Sequence, residues 1–260
     1  MNLLKFLESF TDDKLYATGT SRRSSFSQFG NLGKGLALAS VPFGLSALSN
    51  KAFAADISPT PATPAGALQL ALTLEYLESA FYAQGVATAG LIPASDLAAI
   101  TLIRDHEADH VTFLTSAMNA NGVEIPAMPE FDFTGGLGLD TFGDYQTFLA
   151  VAQAFEDTGV RAYKGQAGNL KGTAFLKPAL QIHSVEARHA SMVRRLRGEK
   201  GWITLNQRTD GIPAEFQVVY DGEQSTTLGA GQFDAAAQSQ AYDETISTET
   251  AVTIANVFIV

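Results

Sequence analysis

The chain contains no cysteine. Disulfides, thiolate metal sites, cysteine nucleophiles and a lipid anchor on an N-terminal cysteine are therefore excluded. Basic residues are scarce, with 17 Lys and Arg against 27 Asp and Glu and a formal net charge of −10. That balance argues against binding a nucleic-acid backbone, which needs clustered positive charge. The body of the chain has no run of about 18 uncharged apolar residues, so no membrane span is expected in the mature form. Histidine is also rare, with four in 260 residues, which makes the position of each one informative. Against these absences stand 46% hydrophobic and 17% charged residues. Such a composition belongs to a globular chain, long enough for one moderate domain with an appendage.

Residues 1–54 read as an export signal rather than as fold. Ser21-Arg22-Arg23-Ser24-Ser25-Phe26 carries paired arginines, a mildly apolar stretch follows, and Ala52-Phe53-Ala54 has the small-x-small form of a cleavage site. The pair resembles a Tat signal, although Ser25 stands where that pattern prefers Phe. The plainer alternative is a Sec signal with a long basic region. The expected location is outside the cytoplasm, periplasmic or secreted, with the Tat export machinery as a partner. Residues 55–64, holding Pro59, Pro61 and Pro64, read as a linker or helix start.

Residues 65–199 carry four helical segments. The first runs from about Ala65 to Ala89, with Leu68, Leu70, Leu72, Leu74, Leu77 and Phe81, and stops at Gly90 and Pro93. The second runs from about Ala94 to Asn121, on Ile100, Ile103, Leu114 and Met118. The third, about Phe142 to Leu170, has Phe148, Val151, Phe155 and Val160; the fourth, about Thr173 to Arg197, has Leu176, Leu180, Ile182, Met192 and Leu196. Between the second and third lies a Pro- and Gly-rich stretch with Phe131, Phe133 and Leu137, too long for an ordinary turn. The spacing predicts an all-α bundle of two helical hairpins joined by one long crossover.

Two Glu-x-x-His pairs, Glu107/His110 and Glu186/His189, fall in the middle of the second and fourth segments. Residues three apart share a helix face, so each pair offers a carboxylate and an imidazole to one point. Glu75 and Glu156 lie inside the other two segments, and each is followed at the same distance by a tyrosine, Tyr82 and Tyr163. The chain thus reads as a repeated hairpin. A lone Glu-x-x-His is ordinarily a solvated pair. Carboxylates placed in an apolar bundle cost several kcal/mol unless paired or metal-bound, and four together repel one another. The set therefore predicts a dinuclear site for two divalent metal ions; carboxylate and imidazole suit iron or manganese, and zinc also accepts these donors. Glu78, one turn after Glu75, is an alternative ligand, but Glu75 keeps the tyrosine spacing of the repeat. Tyr82, Tyr163 and His183 are expected as supporting groups around the ligands, or as ordinary core and surface residues. Asp157 is expected to be a solvated or supporting group.

Residues 65–198 resemble the ferritin-like superfamily, and within it the secreted ferritin-like proteins of the desiccation-related type. The likeness rests on Thr-Leu-Glu75-Tyr-Leu-Glu78, His106-Glu107-Ala-Asp-His110 and Val-Glu186-Ala-Arg-His189. It implies that Glu107 and Glu186 bridge two metals, that Glu75 and Glu156 bind one each, and that each histidine caps one. It implies either a di-metal oxidoreductase acting on peroxide or dioxygen, in ferroxidase or catalase-like fashion, or a non-catalytic bundle with structural metals that protects the envelope under stress. Residues 200–260 are expected to form an appendage, with a short β or irregular segment around Phe216 to Tyr220 and a final helix from Asp243 to Val260. The appendage caps the bundle or supplies a contact to a second copy in a homo-oligomer.

Overall fold

The structure is a computed structural model that describes residues 56–225 and 233–260. The segment read as an export signal, with Arg22 and Arg23, and the loop at Gly229 to Gly231 lie outside the described residues.

Four long helices form the bundle: α1 (Pro64–Ala87), α2 (Leu97–Ala120), α3 (Tyr145–Gln166) and α4 (Leu176–Leu196). The Thr63 hydroxyl caps α1 by accepting from the Gly66 amide at 3.1 Å, and Pro64 follows at the first helical position. Asp144 caps α3 in the same way, accepting from the Thr147 amide at 2.7 Å. Helix α1 packs against α2, α3 against α4, and α1 against α3, so two hairpins sit side by side. Among the described residues no helix is long and apolar enough to cross a membrane.

The burial pattern sets where side chains can meet. Every residue of α3 from Phe148 to Tyr163 is buried. Helices α2 and α4 instead bury one stripe. On α2 it is Ile100, Ile103, Glu107, His110, Leu114 and Ala117; on α4 it is Ala179, Ile182, Glu186, His189 and Val193. The steps of three and four are those of one helix face. Each Glu-x-x-His pair therefore occupies the middle of a core stripe, with apolar residues a turn above and below. Leu180 and Met192, counted with the apolar residues of α4 from the sequence, stand off that stripe and are exposed.

The crossover packs back on the bundle. Phe133 and Phe142 join Phe81, Phe148 and Phe155 in an aromatic cluster, with Phe81 and Phe148 stacked at 4.7 Å. The end of the chain closes over the same region. Phe258 stacks on Phe216 at 5.5 Å and meets Phe155 edge-on at 4.8 Å. Residues Phe131 and Ile259 form an isolated bridge, with the Asp132 amide donating to Phe258 O and the Val260 amide to Glu130 O.

The appendage differs from expectation in two places. The apolar stretch around Phe216 forms a 3-10 helix, Ala214–Val219, and no strand occurs among the described residues. Phe216 and Val219, three apart, both turn onto the core, a spacing that a 3-10 turn satisfies and a strand does not. The final helix is shorter than read: within 243–260 only α6 (Thr248–Asn256) is helical, started by Ser247, and a separate short helix, α5 (Ala235–Ala241), started by Asp234, precedes that span. The 3-10 helix and α6 both pack on α3.

Candidate metal centre

Glu75 from α1, Glu107 and His110 from α2, Glu156 from α3, and Glu186 and His189 from α4 converge in the bundle interior. One ligand atom from each of Glu75, Glu107, His110 and Glu186 falls within a 4.8 Å group, and Glu107, Glu156, Glu186 and His189 make a second such group. The two groups share Glu107 and Glu186. All four of these carboxylates have 0% exposure. Both histidines point Nδ1 inward: His110 Nδ1 lies 3.1 Å from Glu75 and 3.1 Å from Glu186, and His189 Nδ1 lies 2.8 Å from Glu107.

The surrounding donors repeat the two-fold relation. The Tyr82 hydroxyl of α1 donates to Glu156 on α3 at 2.5 Å, and the Tyr163 hydroxyl of α3 donates to Glu75 on α1. Each hairpin thus holds the other's glutamate. On the outer side of His189, Nε2 lies 2.9 Å from His106 Nδ1, with the two rings stacked at 5.2 Å. That contact leaves Nδ1 of His189 for the cluster and ties its orientation to α2. His106 stands directly before Glu107 in the chain and acts here as a support for the histidine of the opposite hairpin. His183 does not face the cluster. Its charged neighbours are Lys164 and Asp243. Asp157 is buried and not solvated. It forms a two-pronged ion pair with Arg194 and accepts from the Tyr220 hydroxyl at 3.0 Å.

The electrostatics follow from this crowding. Burial pushes Glu75 up to about 7, opposed by His110 and aided by Glu107. Burial likewise raises Glu156, against His189, and lifts Glu186 and Glu78 well above the carboxylate range with help from their acidic neighbours. Glu107 goes the other way. Burial alone would raise it, but the two imidazoles beside it hold it at about 2. Burial disfavours a charged His189, yet Glu156 and Glu107 push it up to about 11. His110 is raised against its own burial by Glu75, Glu107 and Glu186. Protons are held here by groups that would each be a better ligand without them.

Beyond these close imidazole contacts, several buried atoms make no well-aligned hydrogen bond: both oxygens of Glu107, both of Glu186, one each of Glu156 and Glu78, and His189 Nδ1. A buried acceptor without a partner is costly. All but the Glu78 oxygen belong to residues of the two four-residue groups, and cations there would satisfy them together. The donor set fits metal cations.

A family model for the ferritin-like domain matches residues 64–199. The chain belongs to the ferritin-like domain family. No curated protein matches the chain. The ferritin-like match spans α1 to α4 and leaves the appendage outside it.

Proposed function

We propose that this ferritin-like bundle holds two divalent ions, iron or manganese, and that the ions exchange electrons with a small oxidant, peroxide or dioxygen. The observation that carries the reading is the pair of overlapping ligand groups that share Glu107 and Glu186. Glu75 and His110 would complete one position, and Glu156 and His189 the other. The charge of these four carboxylates matches that of two divalent cations. The bound metals would supply the redox chemistry. The chain supplies the rest. Tyr82 and Tyr163 fix Glu156 and Glu75, His106 fixes His189, and the apolar turns on either side exclude bulk water. An apolar cavity of about 20 Å³ is bordered by Leu70, Leu74, Leu114 and Tyr163, the tyrosine that donates to Glu75. Its size and lining suit a molecule as small as dioxygen.

Complete burial of the four carboxylates also favours a second reading, in which the metals are structural and the protein protects the envelope under stress or drying, in the manner of desiccation-related proteins. Elemental analysis of protein isolated from its own compartment, followed by a peroxide-consumption assay, separates the two. Two redox metals with rapid peroxide loss support the first reading; bound metal with no consumption of peroxide or dioxygen supports the second; absence of metal sinks both. We further propose export by the Tat route to the periplasm or beyond, on the strength of Arg22 and Arg23. Replacing both with lysine should strand the precursor in the cytoplasm, since a Sec signal needs only positive charge. Normal export of that variant would point to Sec.

A further inference from the structure

The two-fold relation between the hairpins fails at one position. Glu75, Glu78 and Tyr82 on α1 are matched on α3, at one constant offset, by Glu156, Gly159 and Tyr163. One half of the site carries a carboxylate where the other carries no side chain. Glu78 is 3% exposed, and its Oε2 has no hydrogen-bond partner. It is turned toward its counterpart. A Cβ added at Gly159 would lie 3.2 Å from Glu78 Oε1 and 2.9 Å from Glu186 Oε2. Gly159 is the hollow into which both carboxylates fit. Each residue is unfavourable alone: a buried carboxylate without a partner is costly, and glycine in a helix interior is weaker than alanine. Their juxtaposition beside Glu186 points to a common use.

We propose that Glu78 is a fifth carboxylate of the metal centre and that it makes the two metal positions unequal, adding a ligand to the position formed by Glu107, Glu156, Glu186 and His189. The inference rests on the dinuclear reading above. The choice of position follows from the neighbours. Glu78 Oε1 borders the hollow at Gly159, one turn after Glu156 on the same face of α3, and Glu186 Oε2 borders the same hollow. Glu156 and Glu186 both belong to the His189 group, and Glu156 to that group alone. That position then has five protein ligands and its twin has four. Four oxygens with one imidazole suit a manganese or ferrous ion, which takes more ligands than the four of tetrahedral zinc.

The test is a manganese titration of the metal-free mature protein and of Glu78→Gln, with free Mn²⁺ read by electron paramagnetic resonance and bound ions counted by elemental analysis. Glutamine keeps the shape and removes the charge. The wild type is expected to bind two ions in unequal steps. In Glu78→Gln the tighter step weakens by about tenfold, the lower range for a supporting ligand change, and the ratio of the two constants falls accordingly. Gly159→Ala, which crowds the same oxygens, should shift the same step. Melting curves of metal-free Glu78→Gln establish that it is folded. The double change Glu78→Gly with Gly159→Glu, which moves the carboxylate to the other half, should restore unequal steps. Two unchanged binding constants in folded Glu78→Gln overturn this inference alone. A wild type that binds no manganese and no iron sinks the dinuclear reading and this inference with it.

Discussion

Hairpin α1–α2 and hairpin α3–α4 present the same glutamate, tyrosine and Glu-x-x-His at matching distances, but they stand in different surroundings. Helix α3 is buried on all sides between Phe148 and Tyr163, because the appendage covers the face that the bundle leaves open. Arg161 fastens that cover. It pairs with Glu223 at 2.6 Å and donates to the carbonyls of Val219, Asp221 and Glu244. One turn earlier, Asp157 holds Arg194 and Tyr220. On α1, Tyr76 stands where α3 has Asp157. The repeated ligands make the two halves chemically alike, and the non-repeated neighbours decide how rigidly each half is held.

The largest effect is expected from the shared carboxylates. Glu107→Ala or Glu186→Ala removes a group common to both ligand sets, so each should abolish binding of both ions. Retention of one ion in either variant, measured by elemental analysis, would mean that the halves bind independently.

Next comes Arg161→Ala, which acts on the second hairpin only. It leaves Glu223 buried without its partner, a change that typically costs about 3–5 kcal/mol. Denaturant unfolding should show that loss. A cost below about 1 kcal/mol would place the cover among ordinary surface pairs.

Metal removal tests both halves together. In the metal-free protein, Glu75 is raised to about 7 and His189 to about 11 by their buried neighbours, with Glu156, Glu186 and His110 raised as well. A raised folded pKa means that the native state holds more protons than the unfolded chain, so stability falls as pH rises through the folded value. The metal-free form should therefore lose stability from about pH 5 to 8, a window spanning the ordinary carboxylate and histidine values. Glu107, lowered to about 2, opposes this only below the ordinary carboxylate value. Cations replace the protons in the loaded form, so the melting-temperature gap between the two should widen with pH. Each site adds about 2.7 kcal/mol when metal exceeds its Kd by 100-fold. A gap that narrows between pH 5 and 8 in calorimetry would show that the carboxylates are not the metal-binding groups.

The smallest and sharpest comparison is Tyr82→Phe against Tyr163→Phe. Each removes one donor to the opposite hairpin's glutamate. Both should weaken metal binding by about tenfold, and by similar factors if the hairpins are equivalent at that level. Loss in one variant only would locate a further break in the two-fold relation.

The sequence by itself determined the four helices, the hairpin repeat and the six residues that meet, because each signal was local. Glu-x-x-His spacing puts two side chains on one face, and a stripe of apolar residues aims that face inward. The distance from Glu75 to Tyr82, repeated from Glu156 to Tyr163, carried the symmetry. Tertiary structure alone decided what joined elements far apart in the chain. Tyrosine of one hairpin reaches glutamate of the other, His106 braces His189, and Asp157 is buried against Arg194 instead of being solvated. The stretch around Phe216, read as a short β or irregular segment, is a 3-10 helix, in which two residues three apart reach one core. Glu78 was legible as a residue close to the ligands. Its burial over Gly159 was not, since a glycine's meaning in a helix lies in what a distant segment places above it.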